Sequence, residues 1–249
     1  MLILRSSSTF TVPKGVKKID VFCVGGGGGH YEYDVNSKLY IANNGSSSSV
    51  GTICYANGGC GVTAGSFDRN EVQIGGNGGS GGGNGNYTVS GSAGNGGSDG
   101  SDGEIWSGDK FDISGKGQGT TTRYFGEEDG TLYAGGGGGS GTQTSYVPYI
   151  SNGGSGGAGG GGIGWTPFVS GLKLSAPANT GGGGGGCNCG GGGGGYTTTK
   201  LGVDVEPGQQ LSVVVGAGGI GWEPNYNNEY TIIGGSGICI IRWGGYKAT

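Results

Sequence analysis

Residues 178–200 read ANTGGGGGGCNCGGGGGGYTTTK, two blocks of six glycines parted only by Cys187, Asn188 and Cys189. Glycine loses more backbone freedom on ordering than any other residue and brings no side chain to bury. Such a stretch either stays unordered or builds a structure in which nothing larger than hydrogen fits at Cα. Glycine supplies 71 of the 249 residues, and Leu, Ile, Val and Phe together about 18%. That apolar share is low enough for disorder when the net charge is high. Here the net charge is only −4, with 12% charged residues, and the glycine runs alternate with 13 tyrosines, 4 tryptophans and β-branched stretches. Flexible linkers mix glycine with Ser, Glu, Lys or Pro instead. The chain reads as ordered.

Working outward from that stretch, helices are not expected. No window carries an apolar stripe at helical spacing, and each helical glycine costs about 1 kcal/mol relative to Ala. Strand signals are strongest at the two ends. Val16–Val24 follows a Pro13/Gly15 turn, two runs flank Pro207-Gly208, and "TII" and "GICIIRW" close the chain. The expected fold is all-β/irregular and a single domain, residues 1–249. Residues 1–24 and 196–249 form one small sheet as a base, and 25–195 form a glycine core with protruding loops.

For the glycine runs at 25–29, 75–85, 91–103, 135–139, 153–164 and 181–195, the fitting geometry is the extended three-residue helix shared by polyproline and polyglycine. It rises about 3.1 Å per residue and has no internal hydrogen bonds. Its N–H and C=O groups all point outward and need partners once buried. Several such helices side by side can pair backbone to backbone, provided no Cβ intrudes. Gly25, Gly27, Gly137, Gly161, Gly184 and Gly193 are the expected structural glycines.

Charge and cysteine narrow the function. An acidic pI of about 4.9 with scattered basic residues argues against nucleic acid. Apolar runs of about six residues are far short of the roughly 20 that span a bilayer, so no membrane insertion is expected. Met1–Thr9 is too short and wrongly ordered for a secretory signal. The six cysteines (Cys23, Cys54, Cys60, Cys187, Cys189, Cys239) are too sparse for a disulfide scaffold. They read best as small buried hydrophobes, although Cys54 and Cys60 flank a loop they could bridge. Zinc would need four ordered ligands, which CNC and one histidine do not supply. His30, the single histidine, follows five glycines and has no nucleophile elbow nearby. Matches to G-x-G-x-x-G follow from composition alone and precede no helix. No catalytic residue and no cofactor are expected. The acidic band from Asp99 to Asp129 reads as a solvated loop, and calcium at Asp99 and Asp102 is the one weak metal reading.

The segments TFTVPKGVKKIDVFCVGGGGG, GGSDGSDG, GQGTTTRYFGEEDGTLYAGGGGG, VEPGQQLSVVVGAGG and GGSGICIIRW together resemble the glycine-rich domain of bacteriophage tail-tip and tail-fibre proteins from phages and prophages of gut Firmicutes. In architecture the chain is similar to the tip adhesin of T-even-type phages, and more weakly to the glycine-rich ectodomain of anaplastic lymphoma kinase. The resemblance implies a non-enzymatic virion protein, made in the bacterial cytoplasm and carried at a tail or fibre tip. Its partners would be other virion proteins and a host surface protein or glycan, and a homo-oligomer is compatible with it. The alternative is a purely structural tail-tip or capsid-decorating component.

Aromatic residues gather between the glycine runs: Tyr31, Tyr33, Tyr40, Tyr146, Tyr149, Trp165, Phe168, Trp222, Tyr226 and Tyr230. Each is either a cap that shields the glycine bundle or a receptor contact. Tyr and Trp give large contact area at low entropic cost, and loops on a rigid scaffold are where binding is expected.

Overall fold

Lys18–Val24 (KIDVFCV) carries five apolar residues in seven, and it forms a strand buried from Ile19 onward. A computed structural model describes residues 1–29, 31–34, 39–62, 75–85, 94–96, 102–103, 116–119, 123–141, 152–166, 169–187, 190–225 and 228–244. Its strands are β1 (Leu2–Leu4), β2 (Ser8–Thr11), β3 (Lys18–Val24), β4 (Tyr31–Asp34), β5 (Leu39–Ala42), β6 (Ser48–Val50), β7 (Cys54–Ala56), β8 (Thr197–Asp204), β9 (Gln210–Val214), β10 (Ile220–Asn225), β11 (Asn228–Ile233) and β12 (Ile238–Arg242). A single 3₁₀ turn covers Tyr124–Gly126, and no α-helix occurs among the described residues.

The strands make three four-stranded sheets, ordered β1-β12-β3-β8, β2-β9-β6-β7 and β11-β10-β4-β5. In the first, β12 pairs antiparallel with β3, Ile238 opposite Val24 and Arg242 opposite Asp20. Alternation along β3 divides its side chains between two cores. Ile19, Val21 and Cys23 meet Phe10, Val50, Cys54, Leu211 and Val213 of the second sheet. Phe22 and Val24 meet Phe125 and Ala134 on the other side. Phe125 holds φ at 52° beneath Arg242, whose guanidinium stacks 4.0 Å from the ring centroid. The same guanidinium donates to Asp20 at 2.8 Å and to Glu127, which fastens the Tyr124–Gly130 excursion to the sheet.

Strands from the two chain ends do meet in the first sheet, β3 beside β12, but the strands of 1–24 and 196–249 do not all form the one sheet that the sequence suggested. After β8 the chain turns at Pro207-Gly208, with Gly208 at φ 83°, and changes sheet. β9 then pairs with β2 and β6 rather than with β8. Residues 25–195, expected to hold only glycine runs and loops, also contain β4 to β7.

Between the sheets the glycine runs bond to one another. Gly25 and Gly28 donate to the carbonyls of Tyr196 and Gly193, Gly26 and Gly29 to those of Ser46 and Asn43, and Gly27 to that of Gly235. The carbonyls of Gly26, Gly27 and Gly28 accept in turn from Gly59, Gly219 and Gly184. N–H groups three residues apart therefore reach the same neighbouring segment. The pattern recurs. Gly191 and Gly194 donate to Gly83 and Ser80, Gly192 and Gly195 to Gly184 and Gly181, and Gly183 and Gly186 to Gly135 and Gly138. Partner numbers fall in the first two pairs, so those segments run antiparallel; they rise in the last, which is parallel.

The requirement for glycine here is one of space. Gly25–Gly29, Gly135–Gly139 and Gly191–Gly195 all lie outside the left-handed φ region, so an L-residue could adopt their backbone. A Cβ could not be housed. At Gly25 it would fall on the carbonyl of Asn57, at Gly27 on Gly182, at Gly137 on Gly184, at Gly161 on Gly136 and at Gly193 on Asn77, each far inside contact distance. Gly184 departs from this expectation, because its Cβ would meet only the Cγ2 of Ile232 at 3.0 Å, with the Ile233 backbone at 3.5 Å.

Three alanine substitutions separate the causes. Gly137→Ala should abolish the cooperative thermal transition, since a carbonyl cannot move without breaking its own bonds. Gly184→Ala should keep the fold, with Ile232 shifting slightly. Gly15→Ala has open space but a φ of 81°, and should cost about 1 kcal/mol from backbone strain alone. Thermal melts check all three, and a normal transition for Gly137→Ala would contradict the steric reading.

Candidate functional site

Several glycine segments act as connectors between sheets. Residues 25–29 lead from β3 to β4 and 216–219 from β9 to β10, while 43–47 return from β5 to β6 and 234–237 from β11 to β12. Each joins the third sheet to the first or second. The third sheet is thus joined to the other two through glycine segments.

Five candidate contact residues, distant in sequence, meet in that third sheet. Tyr31 and Tyr33 lie on β4, Tyr40 on β5, Trp222 on β10 and Tyr230 on β11. Tyr33 is directly opposite Tyr40, Tyr230 opposite Glu223, and Trp222 in parallel register with Glu32. The four strands also carry Glu32, Asp34, Glu223 and Glu229 and no Lys or Arg. Tyr146, Tyr149, Phe168 and Tyr226 lie outside the described residues, as do His30 and Asp99.

Trp165 has a different role. It is half-buried and, with Leu172, packs on the buried cluster of Leu174, Cys187 and Ile232. Its N–H donates to Gly186 and its carbonyl accepts from Gly141. Part of Trp165 thus packs on an apolar cluster, and part of it stays exposed.

Asp102 Oδ1 accepts the N–H of Gly96 at 2.7 Å, so that carboxylate serves a backbone amide. Among the described residues no group of three or more His, Cys, Asp or Glu could hold a metal. Cys54 and Cys60 are free thiols rather than a bridge, because Cys54 is buried in the core between the first two sheets. No helix among the described residues is long and apolar enough to cross a membrane.

Two features escaped sequence reasoning. Ile220 and Ile233, directly opposite on β10 and β11, are 58% and 37% exposed. Tyr55 on β7 is 57% exposed and donates to Ser47 at 2.7 Å. Strand alternation in CYA and TII was the available signal, but it does not say which face is covered. No family model, curated protein or solved structure matches the chain.

Trp165→Ala should lower stability by about 2 kcal/mol, less than the 3–5 typical of a fully buried tryptophan. Chemical denaturation measures it, and a loss under about 0.5 kcal/mol would return Trp165 to the surface candidates.

Proposed function

We propose that this protein is a non-enzymatic phage virion protein at a tail or fibre tip, in which a bundle of polyglycine-II helices stands on a base of the two packed sheets that hold the chain-end strands and presents aromatic residues to a host surface receptor. The observation that carries the reading is the hydrogen-bond repeat. N–H groups three residues apart reach the same neighbour, as in Gly25/Gly28 and Gly191/Gly194, which is the repeat of a three-residue helix. A bundle held this way needs few apolar side chains, which accords with 71 glycines in 249 residues. It is also stiff, because every segment is tied to several others, and stiffness suits a platform for binding residues.

The gathering of Tyr31, Tyr33, Tyr40, Trp222 and Tyr230 in a sheet separate from that of the chain-end strands β1 and β12 supports recognition there. Strands that alternate aromatic and acidic residues in sequence suit a glycan, by stacking and by hydrogen bonds to hydroxyls, or a protein anchor. The attachment end, toward other virion proteins, would be that of β1 and β12. The packing of Trp165 favours the alternative, a purely structural virion component, for that residue alone.

The test is binding of labelled protein to cells of gut Firmicutes, for the unaltered chain and for Tyr33→Ala, Tyr149→Ala, Trp222→Ala and Tyr226→Ala, with melting followed in parallel. Saturable binding should fall about 30-fold for at least one substitution, the equivalent of a 2 kcal/mol anchor, while the melt stays near normal. No binding by the unaltered chain, together with its tight incorporation into virions, would favour the structural component.

A further inference from the structure

Three of the cysteines converge where the first and second sheets face each other. Cys23 on β3 and Cys239 on β12 are directly opposite in an antiparallel pair. Both are fully buried, and their sulfurs are 3.7 Å apart. Cys54 on β7 completes the group, with its Sγ donating to the carbonyl of Thr198 at 3.4 Å. The Cys239 sulfur also lies 3.6 Å from the Val214 carbonyl and 3.8 Å from that of Ser49, so it is enclosed by strands of both sheets.

We infer that Cys23 and Cys239 are the site of an oxidative cross-link, a disulfide that staples the strand leading into the glycine array to the strand that closes the chain. Opposed residues of an antiparallel pair have Cα atoms about 4.5–5.5 Å apart, inside the 4.4–6.8 Å range a disulfide accepts. The sulfurs then need only rotate about χ1 to bond. Cys54 is not in register with either; its thiol also bonds with that of Cys23, but it belongs to the facing sheet and donates to the Thr198 carbonyl, so the staple leaves it unpaired. The bond would close a loop spanning 216 positions, and long loops gain the most in the chain-entropy account of disulfide stabilisation. The inference does not depend on the receptor-binding reading.

The oxidant is a low-molecular-weight disulfide. One cysteine thiolate attacks a sulfur of that disulfide and expels the first small thiol. The second cysteine attacks the resulting mixed disulfide at the protein sulfur and expels the other. Two protein thiols lose two electrons and two protons, and one small disulfide leaves as two thiols. The neighbouring thiols of Cys239 and Cys54, and then burial, push the Cys23 thiol well above its ordinary range. In the closed molecule Cys23 therefore stays protonated and inert, and oxidation waits for a transient opening between the first and second sheets, which face each other over these thiols. A reducing cytoplasm keeps such a pair open during folding, and an oxidising exterior closes it.

The experiment incubates the folded, reduced full chain with oxidised glutathione, at room temperature and a few degrees below the melt. Free thiols are then alkylated after unfolding, and peptides are mapped without reductant. The expected result is the Cys23 peptide joined to the Cys239 peptide. Melting should rise by roughly 10 °C, reversed by dithiothreitol. Cys54→Ala should keep both effects, and Cys239→Ala should lose both. Should Cys239→Ala fail to fold, the peptide map of the unaltered chain decides alone. Recovery of Cys23 and Cys239 as alkylated thiols at the higher temperature would overturn the inference. So would a bond from either to Cys54, or glutathione retained as the final adduct.

Discussion

The carbonyl oxygen of one glycine segment occupies the space where the next segment would carry a Cβ. Everything else in this protein follows from that close approach. At Gly27, Gly137 and Gly193 the intruding atom belongs to the backbone of Gly182, Gly184 and Asn77, and it is held there by its own hydrogen bonds. Each bond is worth only about 1 kcal/mol net, and weak Cα–H···O contacts between segments add to it. A side-chain core stabilises by removing apolar area from water. Here backbone groups that would otherwise be buried without partners satisfy one another, and the number of such bonds replaces their individual strength.

An array of this kind has an end problem. Its outer segments and tips must hand the chain from one run to the next without exposing unpaired backbone. The sheets do this. β3 delivers the chain into residues 25–29 and β4 receives it; β11 gives it back through 234–237 to β12. The apolar residues gather accordingly, in the interface between the first two sheets and in the patch of Phe22, Phe125 and Ile240. Smaller covers such as Trp165 with Leu174 and Ile232 seal the flank. Arg242 ties the last strand to Asp20 and to the Phe125 excursion, so both ends of the chain and a loop from its middle close on one another.

The all-β character was legible in composition and alternation, since runs such as KIDVFCV and ICIIR are rich in β-branched residues and glycine forbids helices. The division into separate sheets was not. Local pattern marks LSVVV and TTTKLGVD as strands, yet nothing in either says that Pro207-Gly208 moves the chain between layers. β4 and β5 were missed because YEYD and LYIA sit in an irregular segment whose pairing is fixed by residues near position 222. Among the glycines, run length pointed to Gly184 as central, but its neighbour is the side chain of Ile232, and a homopolymer run cannot reveal which members face a side chain. Of the aromatic residues, spacing showed only that they lie between runs. That five of them share one sheet and Trp165 another environment depends on contacts across nearly the whole chain.

Residue-resolved amide hydrogen exchange measures directly whether the glycine segments are the core. The N–H groups of Gly27, Gly137, Gly183 and Gly192 should exchange as slowly as those of Val21 and Ile240, at the rate set by global unfolding. Exchange of those glycine amides within seconds, with the strand amides still protected, would mean that the segments are solvated coils held between sheets, and would contradict a backbone core.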